Sequence, residues 1–124
     1  MNALALSGAA VAITGGARGI GYATAKAFIA QGAQVFIGDL DADLVNTAAD
    51  ELGCRGVHLD VRSRESFAEF LAAVDRPLDV LVNNAGIMPA GRFVDELDAI
   101  TDSIVDVNLN GVLRGSKLAL PGML

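Results

Sequence analysis

Apolar and polar positions alternate along this chain with a regular beat. A short apolar run gives way to a longer stretch with apolar residues every three or four positions, and then the short run returns. The first run, Ala9 to Ile13, predicts a strand over 11–14 that leads into a glycine-rich turn. A helical pattern follows over 19–31 and stops at Gly32. Residues 34–39 read as a second strand. Asp41 fits the N-cap of a second helix, which carries Leu44, Val45, Ala48 and Leu52 on one face and ends at Gly53. Residues 57–59 read as a third strand. Ser63 fits the cap of a third helix with Phe67, Phe70, Leu71 and Val74 on its apolar face. After the turn Asp75-Arg76-Pro77, residues 80–83 form the fourth and most apolar strand. A loop with Gly86, Pro89 and Gly91 spans 84–92, and one helical pattern with Ile100, Ile104, Val107 and Leu109 runs from about Asp95 to the end.

Strand–helix–strand at this spacing implies right-handed crossovers and a parallel sheet. The expected fold class is α/β: a doubly wound, Rossmann-like parallel sheet in three α/β/α layers, with strand order 3-2-1-4. A single dinucleotide-binding domain fills residues 1–124 and looks incomplete at its C-terminal end.

Composition changes this picture in three places. The 124 residues carry 15 acidic and 9 basic side chains, a net charge of −6, and Arg18, Arg55, Arg62 and Arg64 are scattered. No nucleic-acid partner is expected from that distribution. No run of apolar residues is long enough for a transmembrane helix, so no membrane partner is expected either. Met1-Asn2-Ala3-Leu4 has no basic residue ahead of its apolar patch, and Cys54 is the single cysteine. Neither a secretory leader nor a disulfide is expected, and the cytoplasm is the expected compartment. The chain is nonetheless 52% apolar and only 19% charged, with a mean hydropathy of +0.46. That is rich for a small domain. Helices on both faces of a parallel sheet account for part of it. Apolar faces awaiting missing partners account for more.

The chemistry starts at Thr14-Gly15-Gly16-Ala17-Arg18-Gly19-Ile20-Gly21, between the first strand and the first helix. Glycines let the chain turn sharply and let backbone approach a bulky anion. The N–H groups of the new helix then face that anion, with the helix dipole behind them. Asp39 ends the second strand, 18 residues after Gly21. A carboxylate there takes both ribose hydroxyls of an adenosine and repels a 2′-phosphate, or it merely caps the turn before the second helix. Arg18 beside the turn points the other way, toward a 2′-phosphate, but a carboxylate at that position is a direct clash of charge. NAD is therefore expected over NADP. Asp60 and Val61 end the third strand at the same sheet edge. Asp60 suits an adenine amino group and Val61 the ring face, although Asp60 also suits the N-cap of the third helix. Asn83-Asn84-Ala85-Gly86 closes the fourth strand at that edge, where two amides can fasten the loop to neighbouring strands and Ala85 and Gly86 leave room for a ribose.

Taken with Val107-Asn108-Leu109-Asn110-Gly111, these stretches resemble the short-chain dehydrogenase/reductase family of the common soluble type, in its order and near its spacing, over essentially the whole chain. The resemblance implies an oxidoreductase that transfers hydride between NAD(H) and the carbonyl or alcohol carbon of a small-molecule ketone or alcohol. It implies that Gly15, Gly19, Ile20 and Gly21 hold the pyrophosphate side, with Arg18 alongside. Asp39, with Leu40 next to it, takes the adenine ribose, Asp60 and Val61 the adenine, and Asn84, Ala85 and Gly86 the cofactor riboses. Asn108 matches the helical Asn that orders a water in the family's proton relay; otherwise it is a polar residue that kinks a helix. No metal is implied. A homo-oligomer, tetramer or dimer, is implied for a full-length protein, joined partly through the last helix.

The same resemblance expects a Ser on a fifth strand and a Tyr-x-x-x-Lys on the following helix, and the chain reaches Leu124 before either. The 124 residues are therefore expected to be the cofactor-binding half of an enzyme about twice this size, inactive alone, with an open edge on the fourth strand. Tyr22-Ala23-Thr24-Ala25-Lys26 fits the Tyr-x-x-x-Lys spacing but sits on the first helix, on a face that leads away from any substrate. His58 lacks a second ligand at metal spacing, and Cys54 lacks a His to activate it. Two other classes compete: a non-catalytic dinucleotide-binding or redox-sensing module, and a methyltransferase using S-adenosylmethionine, which the Asn83 to Gly86 stretch disfavours.

Overall fold

In the computed structural model, which describes residues 4–124, β1 (Ala10–Thr14) is an inner strand of a four-stranded parallel sheet. The leader reading drawn from Met1, Asn2 and Ala3 lies outside the described residues. β1 runs through the glycine-rich turn into α1 (Gly19–Ala30), followed by β2 (Gln34–Asp39), α2 (Ala42–Leu52), β3 (Arg55–His58), α3 (Arg64–Ala72) and β4 (Val80–Val82). A 3₁₀ turn at Phe93–Asp95 precedes α4 (Asp98–Val105), a π-helical stretch at Asp106–Asn110 and α5 (Gly111–Met123). The strand order is β3-β2-β1-β4, all parallel. This is the doubly wound arrangement the spacing predicts.

The side chains of β1 show why the sheet is central. All five of its residues are buried, and successive ones face opposite layers. Val11 and Ile13 pack with Val35, Ile37, Ala25, Val45 and Ala48 beneath α1 and α2. Ala10 and Ala12 pack with Phe36, Leu59, Phe67 and Phe70 on the other side, against α3. A strand buried on both faces must read as a continuous apolar run, as this one does.

Helix ends follow local chemistry. Asp41 accepts the Leu44 N–H at 3.0 Å and caps α2, which ends at Gly53 in the left-handed region with φ +70°. Ser63 accepts the Ser66 N–H at 3.1 Å and caps α3, so Asp60 does not serve as that cap.

Beyond one-residue shifts at the start of β1 and the end of α1, three elements differ from the sequence expectation. β3 begins at Arg55, two residues early, because Arg55 and Gly56 hide the strand signal. Gly56 is there for space: a Cβ would lie 2.7 Å from the Val45 carbonyl oxygen. At its other end, the Leu59 N–H still bonds the Asp39 carbonyl at 2.8 Å, so the pairing outlasts the regular strand. β4 stops at Val82, and Asn83 turns toward α5, donating to Ser116 Oγ at 3.4 Å. The single long helix expected after Asp95 is instead broken. Its middle turn widens to a π-helix, where the Gly111 N–H bonds the Asp106 carbonyl five residues back. β4 pairs with β1 alone among the described residues, and its three residues are half-buried. No described helix is long and apolar enough to cross a membrane.

Candidate functional site

The C-terminal ends of β1, β2 and β4 converge on the glycine-rich turn, and hydrogen bonds lock them together. Thr14, fully buried, is the hub. Its hydroxyl oxygen accepts from the Asn84 N–H at 3.0 Å and the Ala85 N–H at 2.9 Å. The Asn84 amide donates back to the carbonyls of Thr14 at 3.1 Å and Gly15 at 3.2 Å. Gly16 donates to the Gly38 carbonyl at 3.1 Å. Of the two amides expected to fasten this loop to neighbouring strands, Asn84 does so at the end of β1, whereas Asn83 bonds Ser116 of α5 instead.

Two glycines set the shape of the turn. Gly15 has φ +66°, and a Cβ on it would sit 2.9 Å from Ala85 Cα. A Cβ on Gly21 would fall 2.2 Å from the Gly15 carbonyl oxygen. Only glycine permits this approach of the first turn of α1 to the strand. The N-terminus of α1 carries no side-chain cap and no acidic residue in its first turn. The N–H groups of Gly19, Ile20 and Gly21 therefore have no intrahelical partner, and the positive end of the helix dipole lies open. That is the chemistry of an anion site.

Asp39 is buried at the end of β2. Its Oδ2 accepts from the Ala17 N–H at 3.2 Å and its Oδ1 from the Asp41 N–H at 3.3 Å. The carboxylate thus braces the turn and the entry to α2, and each oxygen keeps a lone pair. At the end of β3, Asp60 is held firmly. Oδ1 accepts from the Arg62 N–H at 3.0 Å and Arg62 Nε at 2.9 Å, and Oδ2 accepts from Arg62 Nη2 at 2.9 Å. The Arg62 guanidinium holds the Asp60 carboxyl below its ordinary pKa, against the opposing effect of partial burial.

These groups border one cleft of about 740 Å³. Of the residues expected there, Gly15, Arg18, Ile20, Asp39, Leu40, Asp60, Val61, Asn84, Ala85 and Gly86 line it. Gly19, Gly21 and Asn108 do not. Gly19 is exposed with φ +57°, and Gly21 is buried against the Gly15 carbonyl; both shape the turn through their backbone. Asn108 sits in the π-helical stretch and clasps the backbone of Ile87.

Leu59, Arg62, Ile87, Ile100, Ser103 and Val107 also line the cleft, and sequence reasoning missed them. Ile100, Ser103 and Val107 follow the i, i+3, i+7 spacing of one helix face, which reads as core until the cleft is seen. Arg62 had a signal, since a cation two residues past a strand-end carboxylate is in reach of it. Behind Val61, Arg114 of α5 donates to the Val61 carbonyl and approaches Asp106 at 3.4 Å.

Tyr22 lies outside the cleft. Its hydroxyl donates to Glu51 Oε2 at 3.1 Å, and partial burial with the Glu51 carboxylate pushes its pKa above the usual tyrosine value. That is the wrong direction for a phenol acting near neutrality. Burial pushes the Cys54 thiol up to about 11, so it is not an activated nucleophile. No metal-binding cluster of His, Cys, Asp and Glu occurs among the described residues.

The chain is similar to known proteins. The family model for short chain dehydrogenase matches residues 9–124. The probable oxidoreductase EphD of Mycobacterium tuberculosis is 41% identical over 115 residues, covering 86% of this chain and 19% of that protein. The oxidoreductase UcpA of Salmonella typhimurium is 38% identical over 130 aligned positions, covering 96% of this chain and 48% of that protein. The crystal structure of a 3-oxoacyl-[acyl-carrier protein] reductase with bound NAD from Brucella melitensis superposes with a TM-score of 0.87 at 33% identity, covering 96% of this chain and 50% of that one. The chain thus spans about half, or less, of the length of these relatives.

Proposed function

The chain belongs to the short-chain dehydrogenase family, and from that premise we propose that it forms the cofactor-binding half of an NAD(H)-dependent oxidoreductase acting on a small ketone or alcohol. The family is one of oxidoreductases that use a nicotinamide dinucleotide, and membership in it removes the methyltransferase reading. When bound, the dinucleotide supplies the hydride.

One observation carries the reading: an uncapped helix N-terminus behind a glycine turn, with the Asp39 carboxylate across the same cleft. In this reading the N–H groups of Gly19, Ile20 and Gly21 hold the diphosphate, with Gly15 giving it room and Arg18 adding charge. Asp39 and Leu40 take the adenosine ribose, Asp60 and Val61 the adenine, and Asn84, Ala85 and Gly86 the remaining ribose. Asn108 acts through Ile87, fixing the loop that borders the nicotinamide end. In this reading the Ser and the Tyr-x-x-x-Lys that the resemblance expects lie outside these 124 residues. Tyr22 and Lys26 do not replace them. A polypeptide without them binds the dinucleotide and does not turn over, so turnover by the full-length protein separates enzyme from binding module. We place it in the cytoplasm as a dimer or tetramer, with exposed Val105, Leu109 and Leu113 of the last helical segments as part of the subunit contact.

The test is a fluorescence titration of the full-length protein with NADH and NADPH. NADH binds at least about tenfold tighter, the cost of setting a phosphate against a buried carboxylate. Asp39→Ala combined with Leu40→Arg brings the two affinities together or reverses them. Preference for NADPH in the unaltered protein, or no change in the variant, reduces Asp39 to a brace for the turn.

A further inference from the structure

We infer that Arg62 is the residue that sets the base specificity of the cleft, by fixing Asp60 so that its carboxylate presents one acceptor to the amino group of adenine. The inference rests on the dinucleotide reading above. Asp39 pairs in register with His58, and Asp60 follows two residues beyond it, on the outer side of the ribose position. The base of a nucleotide laid along the strand ends therefore reaches Asp60.

A carboxylate offers four lone pairs. Three are taken here, two on Oδ1 and one on Oδ2, all by Arg62. The Asp60 main chain is fixed as well, its N–H donating to Ser66 Oγ at 2.9 Å and its carbonyl accepting from Ser63 N–H at 3.0 Å. One lone pair on Oδ2 remains, and Asp60 lines the cleft. A fixed single acceptor selects a base that offers an N–H there. Adenine does, through its exocyclic amino group. Hypoxanthine presents a carbonyl at the same position, so two acceptors face each other and neither finds a partner.

An exposed ion pair two residues apart contributes little to stability. The bidentate fork controls orientation instead, which a lysine cannot reproduce. Arg62 is thus a positioning residue, and its mark is discrimination between bases rather than thermal stability.

The experiment measures Kd for NADH and for reduced nicotinamide hypoxanthine dinucleotide, using full-length protein and its Arg62→Ala and Arg62→Lys variants. The unaltered protein prefers NADH by about tenfold or more, the worth of a hydrogen bond to a charged group. Both variants bring the two within about threefold, while the hypoxanthine dinucleotide binds as before. Full discrimination in both variants, or none in the unaltered protein, overturns the role of Arg62 and leaves the dinucleotide reading standing. If the unaltered protein binds neither compound, the dinucleotide reading itself fails. A thermal melt confirms folding, and Arg62→Lys decides the matter where Arg62→Ala does not fold.

Discussion

Both polar ends of the Asn108 side chain are taken by the backbone of one residue, Ile87: Oδ1 accepts its N–H and Nδ2 donates to its carbonyl, each at 2.8 Å. The side chain therefore anchors the loop after β4 to the π-helical stretch, which is where the helix widens. Replacing Asn108 with Ala removes both bonds. We expect a loss of about 1–2 kcal/mol in urea unfolding, with faster amide hydrogen exchange confined to residues 86–97. Unchanged exchange at Ile87 contradicts the clasp.

Thr14 gives a sharper case, because its oxygen accepts from two part-buried N–H groups, and that of Ala85 has no other partner among the described residues. Thr14→Val keeps the shape and orphans the Ala85 N–H, while the Asn84 N–H keeps the Val82 carbonyl at 3.0 Å. The expected cost is about 1–3 kcal/mol, and Thr14→Ser restores most of it. A Val variant as stable as the parent in chemical denaturation shows that the hydroxyl is dispensable.

Gly19 and Gly21 separate two reasons for a glycine. Alanine at Gly19 meets nothing within 4 Å but must adopt φ +57°, which costs about 1–2 kcal/mol. Alanine at Gly21 drives a methyl into the Gly15 carbonyl. We expect Gly21→Ala to lose more stability than Gly19→Ala and to abolish NADH binding, since the turn itself must move. Equal melting temperatures for the two variants contradict this.

Burial raises the Cys54 thiol to about 11, so the folded state disfavours the thiolate that the unfolded chain forms more readily. Stability is then intact below the unfolded value, near pH 9, and falls as pH rises toward 11. Cys54→Ala flattens that part of the stability curve. At pH 7.5 alkylation of Cys54 by iodoacetamide is slower than that of a free thiol by on the order of a hundredfold, which mass spectrometry measures directly.

The sequence carried most of this architecture because its signals are local. A strand, a glycine turn and a helix start leave their marks within twenty residues, as do Asp41 and Ser63 as caps. What stayed hidden depends on groups that meet only in space. Nothing around Asn108 announces that it holds Ile87, 21 residues away. The cleft-facing side of α4 carries the same apolar spacing as a core-facing one. Gly56 weakened the β3 signal for a reason visible only once α2 lies over it. Asp60 and Asp39 were legible as acids at strand ends, but their partners, the Arg62 fork and the turn N–H groups, were not.

The lock on the glycine turn also has a history in the life of the chain. Thr14 and Gly15 are made before the Asn84 that fastens them, which lies about 70 residues later. Loop closure over that span carries an entropic cost repaid only when β4 docks beside β1. A nascent chain emerging from the ribosome therefore holds β1, α1 and β2 with an unfastened turn, and the anion cradle snaps into its working shape late, in the same event that seats β4. Binding competence in this protein is a marker that β4 has docked.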